Sequence, residues 1–425
     1  MRILIISNLY APDRAPRAYR WTAIAEYLAG QGHEVDVVAA WKSGDARRET
    51  LNGVRIHRVG SRLGQWLRGR LGRRPHGAET AASGGGGRRG LLARLIKAVY
   101  DRTWRRLFWP DYACLWYFPA LGRAEALLRQ DGGHDALVTV SHPFTGHLVG
   151  LTLKRRHPGL TWIADSGDPF SFFHEIPLNN HGLYSGLNRR TEAAVVARAD
   201  RVTVTVESCR DAYAQAFPGL GHIAVVPPLL SLPDLPAAAE RLGDGVHMVY
   251  VGTLYRAIRN PAWLLELTHG LVERGLDLHL HLLGDINDCT AEIARGRGLL
   301  GERLHVHGSV ARPNVARMLA AAHILVNLGN STPHQLPSKV VEYVAAAKPV
   351  LNLAPVTDDT SAKFLDRSGA ALSLSTAEPV GAESLERAAV FLGAPPIPDP
   401  AIIAAILAEH RIDAVAGAYL TLMGT

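Results

Sequence analysis

The stretch STPHQLPSKVVEYVAAAKPVL, residues 331–351, reads as loop, helix and strand. Pro337 suits a first helical turn, because its ring presets φ and its missing N–H is not needed there. Lys348-Pro349 then stops the helix. Ser338 and Glu342 are four apart and share one face, while Val340, Val341, Val344 and Ala345 supply an apolar flank. A helix start with free N–H groups is a seat for an anion. A carboxylate one turn further in does not bind that anion, but it suits a hydroxylated group beside it, such as a ribose. Anion and ribose together describe a nucleoside diphosphate. An ordinary amphipathic helix with a solvated glutamate has the same local pattern, so the surroundings decide between the two.

Those surroundings alternate strand and helix. MRILIIS is apolar and β-rich, the loop NLYAPDRAPRAYR is punctuated by Pro12 and Pro16, and the helix WTAIAEYLAGQGHE ends at Gly30 and Gly32 before the strand EVDVVAA. Strand, helix and strand at these lengths imply parallel pairing and an α/β sheet. The same alternation runs through DALVTVS, LTWIADSGDPF and RVTVTVES. It starts afresh at HMVYVG, and continues through LDLHLHLLG, RLHVHGSV and HILVNL. A stretch with proline and glycine, residues 231–245, separates the two series. At 425 residues, two domains are the expectation. We assign 1–238 to an N-terminal domain, 239–397 to a C-terminal domain, and 398–425 to a helix returning to the first.

Composition excludes several classes. With 47% hydrophobic and 20% charged residues the chain is globular rather than disordered. No apolar run approaches the roughly 20 residues needed to span a bilayer, and the N-terminus lacks the pattern of a signal peptide. Cys114, Cys209 and Cys289 show neither pairing nor metal spacing, which points to a reducing compartment, the cytoplasm. The net charge of +7 is concentrated, since residues 62–106 hold twelve basic and two acidic side chains and the remainder carries −3. Local basicity argues against a nucleic-acid-coating protein and for one basic patch. Residues 61–110 join a glycine-rich linker to a basic amphipathic segment with tryptophan, a pattern that fits either packing on its own domain or an anionic membrane surface. The loop after the first strand has no G-x-G-x-x-G, which counts against a nicotinamide enzyme.

Glu342 followed by Tyr343-Val344-Ala345-Ala346-Ala347-Lys348-Pro349-Val350 resembles the donor-binding motif of glycosyltransferase family 4. Gly32-His33-Glu34-Val35 and the Asp165/Asp168 strand exit are similar to that family's N-terminal signatures. The resemblance implies a GT-B fold, two Rossmann-like domains facing each other across a cleft, and a retaining transferase. The implied donor is a nucleotide-sugar, and the implied acceptor a glycolipid or polysaccharide. On this reading the donor site takes Gly252, Thr253, Gly284, Val310, His334, Leu336, Pro337, Ser338, Lys339 and Glu342. His334 stands where the family has its first glutamate, and Gly167 where many members have Arg or His. Arg256 and Arg259 are rivals for the diphosphate, both apt because guanidinium pairs with phosphate bidentately. His142 and Asp168, at strand exits, join them as candidate catalytic residues, and Arg14, Arg17, Arg20 and Asp165 as acceptor-side candidates.

No Asp-x-Asp, HExxH, P-loop or G-x-S-x-G occurs, so metal-free and cofactor-free chemistry is expected. The pairs His279/His281 and His305/His307 each share one face of a strand, and a zinc site there is conceivable, although structural histidines are commoner. A non-hydrolysing sugar-nucleotide epimerase of the same fold and a non-catalytic sugar-nucleotide-binding homologue remain the alternatives.

Overall fold

MRILII folds as β1 (Arg2–Ile6), fully buried from Ile3 onward. The computed structural model describes residues 1–13, 15–60, 107–130, 132–172, 178–220, 222–232, 235–236 and 240–424. Arg14 and the basic stretch 61–106 therefore lie outside the described residues.

Two units emerge, Met1–Val226 with Val415–Thr425, and Pro227–Ala414. The first division precedes the 238/239 boundary read from the sequence. Beyond Val226 the backbone bonds into the second unit, where Leu230 N–H donates to His410 O at 2.9 Å and His410 Nδ1 lies 2.6 Å from Pro228 O. The described part of the proline-containing stretch 231–245 thus belongs within the second unit.

In the first unit the order continues α1 (Pro16–Gly30), β2 (Glu34–Ala40), β3 (Arg48–Leu51), β4 (Val54–Val59), α2 (Tyr117–Leu128), β5 (Ala136–Ser141), α3 (Thr145–Arg156), β6 (Thr161–Ser166), α4 (His181–Arg198), β7 (Arg201–Val204), α5 (Glu207–Ala216) and β8 (Ile223–Val225). Its sheet runs β3-β4-β2-β1-β5-β6-β7-β8, parallel except for β3, which pairs antiparallel with β4. β3 is exposed along its whole length and carries no apolar alternation, which hides it from a pattern search. α1 buries Trp21, Ile24, Ala25 and Leu28 on one face, a spacing of three and four.

The second unit holds β9 (Val246–Val251), α6 (Ala262–Glu273), β10 (Leu278–Leu283), α7 (Thr290–Leu300), β11 (Leu304–Gly308), α8 (Arg312–Ala321), β12 (Ile324–Leu328), α9 (Ser338–Ala345), β13 (Val350–Ala354), α10 (Thr360–Asp366), β14 (Ala371–Ser375), α11 (Ala382–Gly393) and α12 (Pro400–Ala408). α13 (Ile412–Gly424) follows, and its residues from Val415 on belong to the first unit. The tail is thus two helices rather than one, interrupted at His410. The sheet β11-β10-β9-β12-β13-β14 is parallel throughout. Among the described residues no helix is long and apolar enough to cross a membrane.

In each sheet the strand order reverses once, at β1/β5 and at β9/β12. Ligands of open parallel sheets bind beyond the carboxyl ends of strands at such points. The exits to inspect are therefore those of β1, β5 and β6 in the first unit and of β9 and β12 in the second.

The two His-x-His pairs become part of a larger ladder. His281 lies opposite His305, and His279 opposite His247. His247 Nε2 lies 3.1 Å from Asp244 O, its Nδ1 lies 2.9 Å from His281 Nε2, and His281 Nδ1 lies 3.1 Å from His307 Nε2. A carbonyl only accepts, so His247 donates from Nε2, His281 donates from Nε2 to His247, and His307 donates from Nε2 to His281. The imidazoles satisfy one another, and among the described residues no group of three His, Cys, Asp or Glu is arranged to hold a metal ion.

Burial, and then its four histidine neighbours, push the His281 imidazole down to about 3; His279, His305, His307 and His323 are also lowered, in each case mainly by burial. The unfolded chain takes up these protons near pH 6.5 and the folded chain does not. Stability is therefore complete above about pH 6.5 and declines as the pH falls toward 3. His281 alone should cost about 2 kcal/mol between pH 6.5 and 5. Urea titrations at the two pH values would show this, and His281→Leu should flatten the difference; an equal midpoint at both would contradict it.

Candidate functional site

α9 begins at Ser338 with Pro337 as its N-cap residue, one position later than the sequence suggested. No side chain caps the helix start and no acidic residue stands in its first turn. Its N–H groups and dipole are therefore available to an anion. Val340, Val341, Tyr343 and Val344 are buried, which holds the helix in register against the sheet. Tyr343 OH accepts from Val251 N–H at 2.8 Å, tying the helix to the end of β9.

Lys339, in the first turn, is drawn inward. Its Nζ donates to Val251 O at 2.7 Å and lies 5.3 Å from the Tyr250 ring centroid. Gly252, at φ 151°, leaves the space for it, since a Cβ there would come within 1.8 Å of Nζ. Burial holds the Lys339 ammonium well below its usual range, the Arg259 charge pushes the same way, and Glu342 opposes both. A half-buried cation destabilised by a second cation is stabilised by an incoming anion.

Arg256 and Arg259 are placed differently. Arg256 is 54% exposed and forks onto Glu292 at 2.6 and 3.1 Å, with Nη2 also 3.0 Å from Asp288 O. Arg259 commits Nε to Asn330 Oδ1 at 2.9 Å, just past the exit of β12. Arg259 thus stands at the point where the strand order reverses, beside Lys339, whereas Arg256 is spent on α7.

Glu342, one turn into α9, has a carboxylate 15% exposed. Burial raises it, with Arg312 opposing first, then Lys339 and Ser231. Its contacts are long: Ser231 Oγ donates at 3.4 Å and Arg312 Nη2 is 3.7 Å away. Such a carboxylate retains accepting capacity for hydroxyl groups. Gly284 N–H donates to Gly308 O at 2.7 Å, and at φ 130° it packs onto Gly252 O so closely that a Cβ would fall 2.2 Å away. The ends of β9, β10 and β11 therefore meet through glycines, with Thr253 and Val310 beside them. His334 N–H donates to Thr332 Oγ1 at 3.3 Å in the loop before α9, and Leu336 is half-buried against the core.

The first unit gathers a different set. Asp165, at the end of β6, is 1% exposed. It accepts from Trp21 Nε1 at 2.7 Å, Thr203 Oγ1 at 2.8 Å and Tyr419 OH at 2.8 Å. Burial would raise its carboxyl, yet Arg17, Arg20, Trp21 and Tyr419 hold it below the usual range. Arg20 is buried and donates to Val226 O at 3.2 Å and Tyr419 OH at 3.3 Å. Asp165 and Arg20 thus staple α1, β6, β7 and α13 together. His142 and Asp168, at the ends of β5 and β6, face each other with Nε2 and Oδ2 3.7 Å apart. Burial lowers the His142 imidazole, Asp168 opposing and Arg17 adding to it.

Sequence reasoning missed Asn330, Arg312, Ser231, Trp21, Thr203 and Tyr419. Only Asn330 left a local signal, a polar side chain directly after a buried strand. The others matter through partners far away in the chain.

Residues 245–358, which span β9 to β13, match the family model for glycosyl transferases group 1. No curated protein matches the chain. Among solved structures it is similar to a sucrose-phosphate synthase from Thermosynechococcus elongatus, with 18% identity over 99% of this chain and 98% of that one and a TM-score of 0.63. It is also similar to Anabaena HepE in complex with UDP, with 11% identity over 100% of both chains and a TM-score of 0.61. A putative UDP-N-acetylglucosamine 2-epimerase from Listeria monocytogenes matches with 12% identity over 99% and 94% and a TM-score of 0.52. At these identities the structures speak for the fold, which is GT-B. Residues 245–358 thus match the group 1 glycosyl transferase model, and the chain has the GT-B fold.

Proposed function

We propose that the protein is a retaining, metal-independent glycosyltransferase that moves a sugar from a nucleoside-diphosphate sugar to a glycolipid or polysaccharide acceptor. One observation carries the reading. Inside the matched segment, a half-buried lysine and an arginine stand at the uncapped start of α9, with a half-free carboxylate one turn on. On this reading the N–H groups of Ser338 and Lys339, with Lys339 Nζ and Arg259, neutralise the departing diphosphate. Glu342 accepts from the ribose hydroxyls, and Gly284 and Val310 flank the base. His334 takes the position next to the sugar. The acceptor belongs to the first unit, near His142 and Asp168. The basic stretch 61–110 would bring the protein to an anionic membrane surface on the cytoplasmic side.

Incubating the protein with a panel of sugar nucleotides, with and without lipid-linked or polysaccharide acceptors, tests this by mass spectrometry. A new glycosidic product supports it. Conversion of the sugar nucleotide without acceptor would favour the epimerase instead, and no binding of any nucleoside diphosphate would favour a non-catalytic homologue. Glu342→Ala removes an acceptor of charge-assisted hydrogen bonds, so the donor KM should rise at least about tenfold. Steady-state kinetics with the preferred donor checks this, and an unaltered KM would remove Glu342 from the site.

A further inference from the structure

Of the three arginines on the loop and first turn of α1, two are accounted for: Arg14 lies outside the described residues and Arg20 is a structural staple. Arg17 is different. Its side chain is 18% exposed, and its one hydrogen bond among the described residues is a long contact, Nη1 to Asp165 Oδ2 at 3.4 Å. Asp165 does not depend on it for hydrogen bonds, because Oδ2 already accepts from Trp21 at 2.7 Å and Oδ1 from Thr203 and Tyr419.

The guanidinium instead lies against Gly167, immediately past β6. A Cβ at Gly167 would overlap it, and the backbone there is not left-handed, so glycine serves space rather than conformation. The position whose side chain is missing is thus filled from α1 by an arginine. Around it stand His142, whose imidazole burial lowers, Asp168, and the buried Asp165 and Arg20. His142, Asp165 and Asp168 lie at the carboxyl ends of β5 and β6, the edge of this sheet where ligands bind. A planar fork with two uncommitted nitrogens at such an edge matches the geometry of an oxyanion.

We propose that Arg17, seated in the hollow over Gly167, binds an oxyanion of the acceptor, a phosphate or a carboxylate, and so selects acidic acceptors. This rests on the transferase reading for the word acceptor, but the anion seat itself can be tested alone.

The probes are methyl phosphate and acetate, titrated calorimetrically into the full chain in the presence of UDP, which fills any diphosphate seat in the second unit. Arg17→Gln and Gly167→Ala should each weaken probe binding more than about tenfold. Gly167→Ala keeps the arginine and displaces only its tip, so its thermal melt should match the wild type. Arg256→Ala, in the other unit and outside the diphosphate seat, should bind the probes as the wild type does. Preference for methyl phosphate identifies a phosphorylated acceptor, and equal or stronger acetate binding a carboxylate-bearing one; both support the seat. Wild-type protein that binds neither probe, or equal affinity in wild type and Arg17→Gln, overturns it. UDP titration without probe reads the donor site separately. A failure of the transferase reading would appear there and leave the Arg17 result standing.

Discussion

Arg259→Ala should lower the rate of sugar transfer by about 10²–10³-fold, a loss of roughly 3–4 kcal/mol of transition-state stabilisation. Charge grows on the diphosphate as the glycosidic bond breaks, and a fixed guanidinium facing it costs no reorganisation at that moment. Asn330 takes only Nε of Arg259 and leaves the other nitrogens of the fork. Lys339 supplies charge from the helix side but not a planar fork, and one of its donors is already spent on Val251 O, so it only partly replaces the guanidinium. Arg259→Lys should recover part of the rate, since the charge returns without the fork. Arg256→Ala should stay within about threefold of the wild type, because it gives up an exposed pairing with Glu292. Single-turnover measurements at saturating donor separate the two variants. If Arg256→Ala were the one to lose activity, the roles given to the two arginines would be reversed.

Asp165→Ala should destabilise the first unit by about 3–5 kcal/mol. The substitution leaves Arg17 without its ion-pair partner and the buried Arg20 without a nearby negative charge, and strips the acceptor from Trp21, Thr203 and Tyr419 together. Unpaired buried donors cost more than the bonds they made contributed. Tyr419 lies on α13, so the damage should reach the tail as well as α1. Urea unfolding followed by circular dichroism would show a lower midpoint, and amide exchange should rise in α1 and α13. A change below about 1 kcal/mol would mean that the carboxylate is not the anchor of these elements. Asp165→Ala that folds normally but fails to accept sugar would return Asp165 to the acceptor side.

Part of the molecule was legible in the chain itself. Strand and helix alternate with periods of two and 3.6, so the two parallel sheets, the break between them and the helix bearing Glu342 follow from local pattern. Turn and helix-stop residues such as Gly32 and Pro349 set most element ends within a residue or two. β3 and the interruption at His410 were not legible, the first for want of apolar alternation, the second because His410 is turned by a bond to Pro228, far off in sequence.

The site divides in the same way. Residue types suggested an anion seat, since a helix start, nearby arginines and a carboxylate one turn on are local facts. Which arginine keeps free hydrogen-bonding capacity was decided by Glu292 and Asn330, each more than thirty residues from the arginine it holds. The roles of Asp165, Arg20 and the histidine ladder were likewise settled by partners drawn from distant strands. Periodicity along a chain reports which face of an element is buried, and is silent about what that face meets. A charged side chain becomes a ligand-binding group or a structural anchor according to whether the folded protein leaves its hydrogen-bonding capacity open or consumes it.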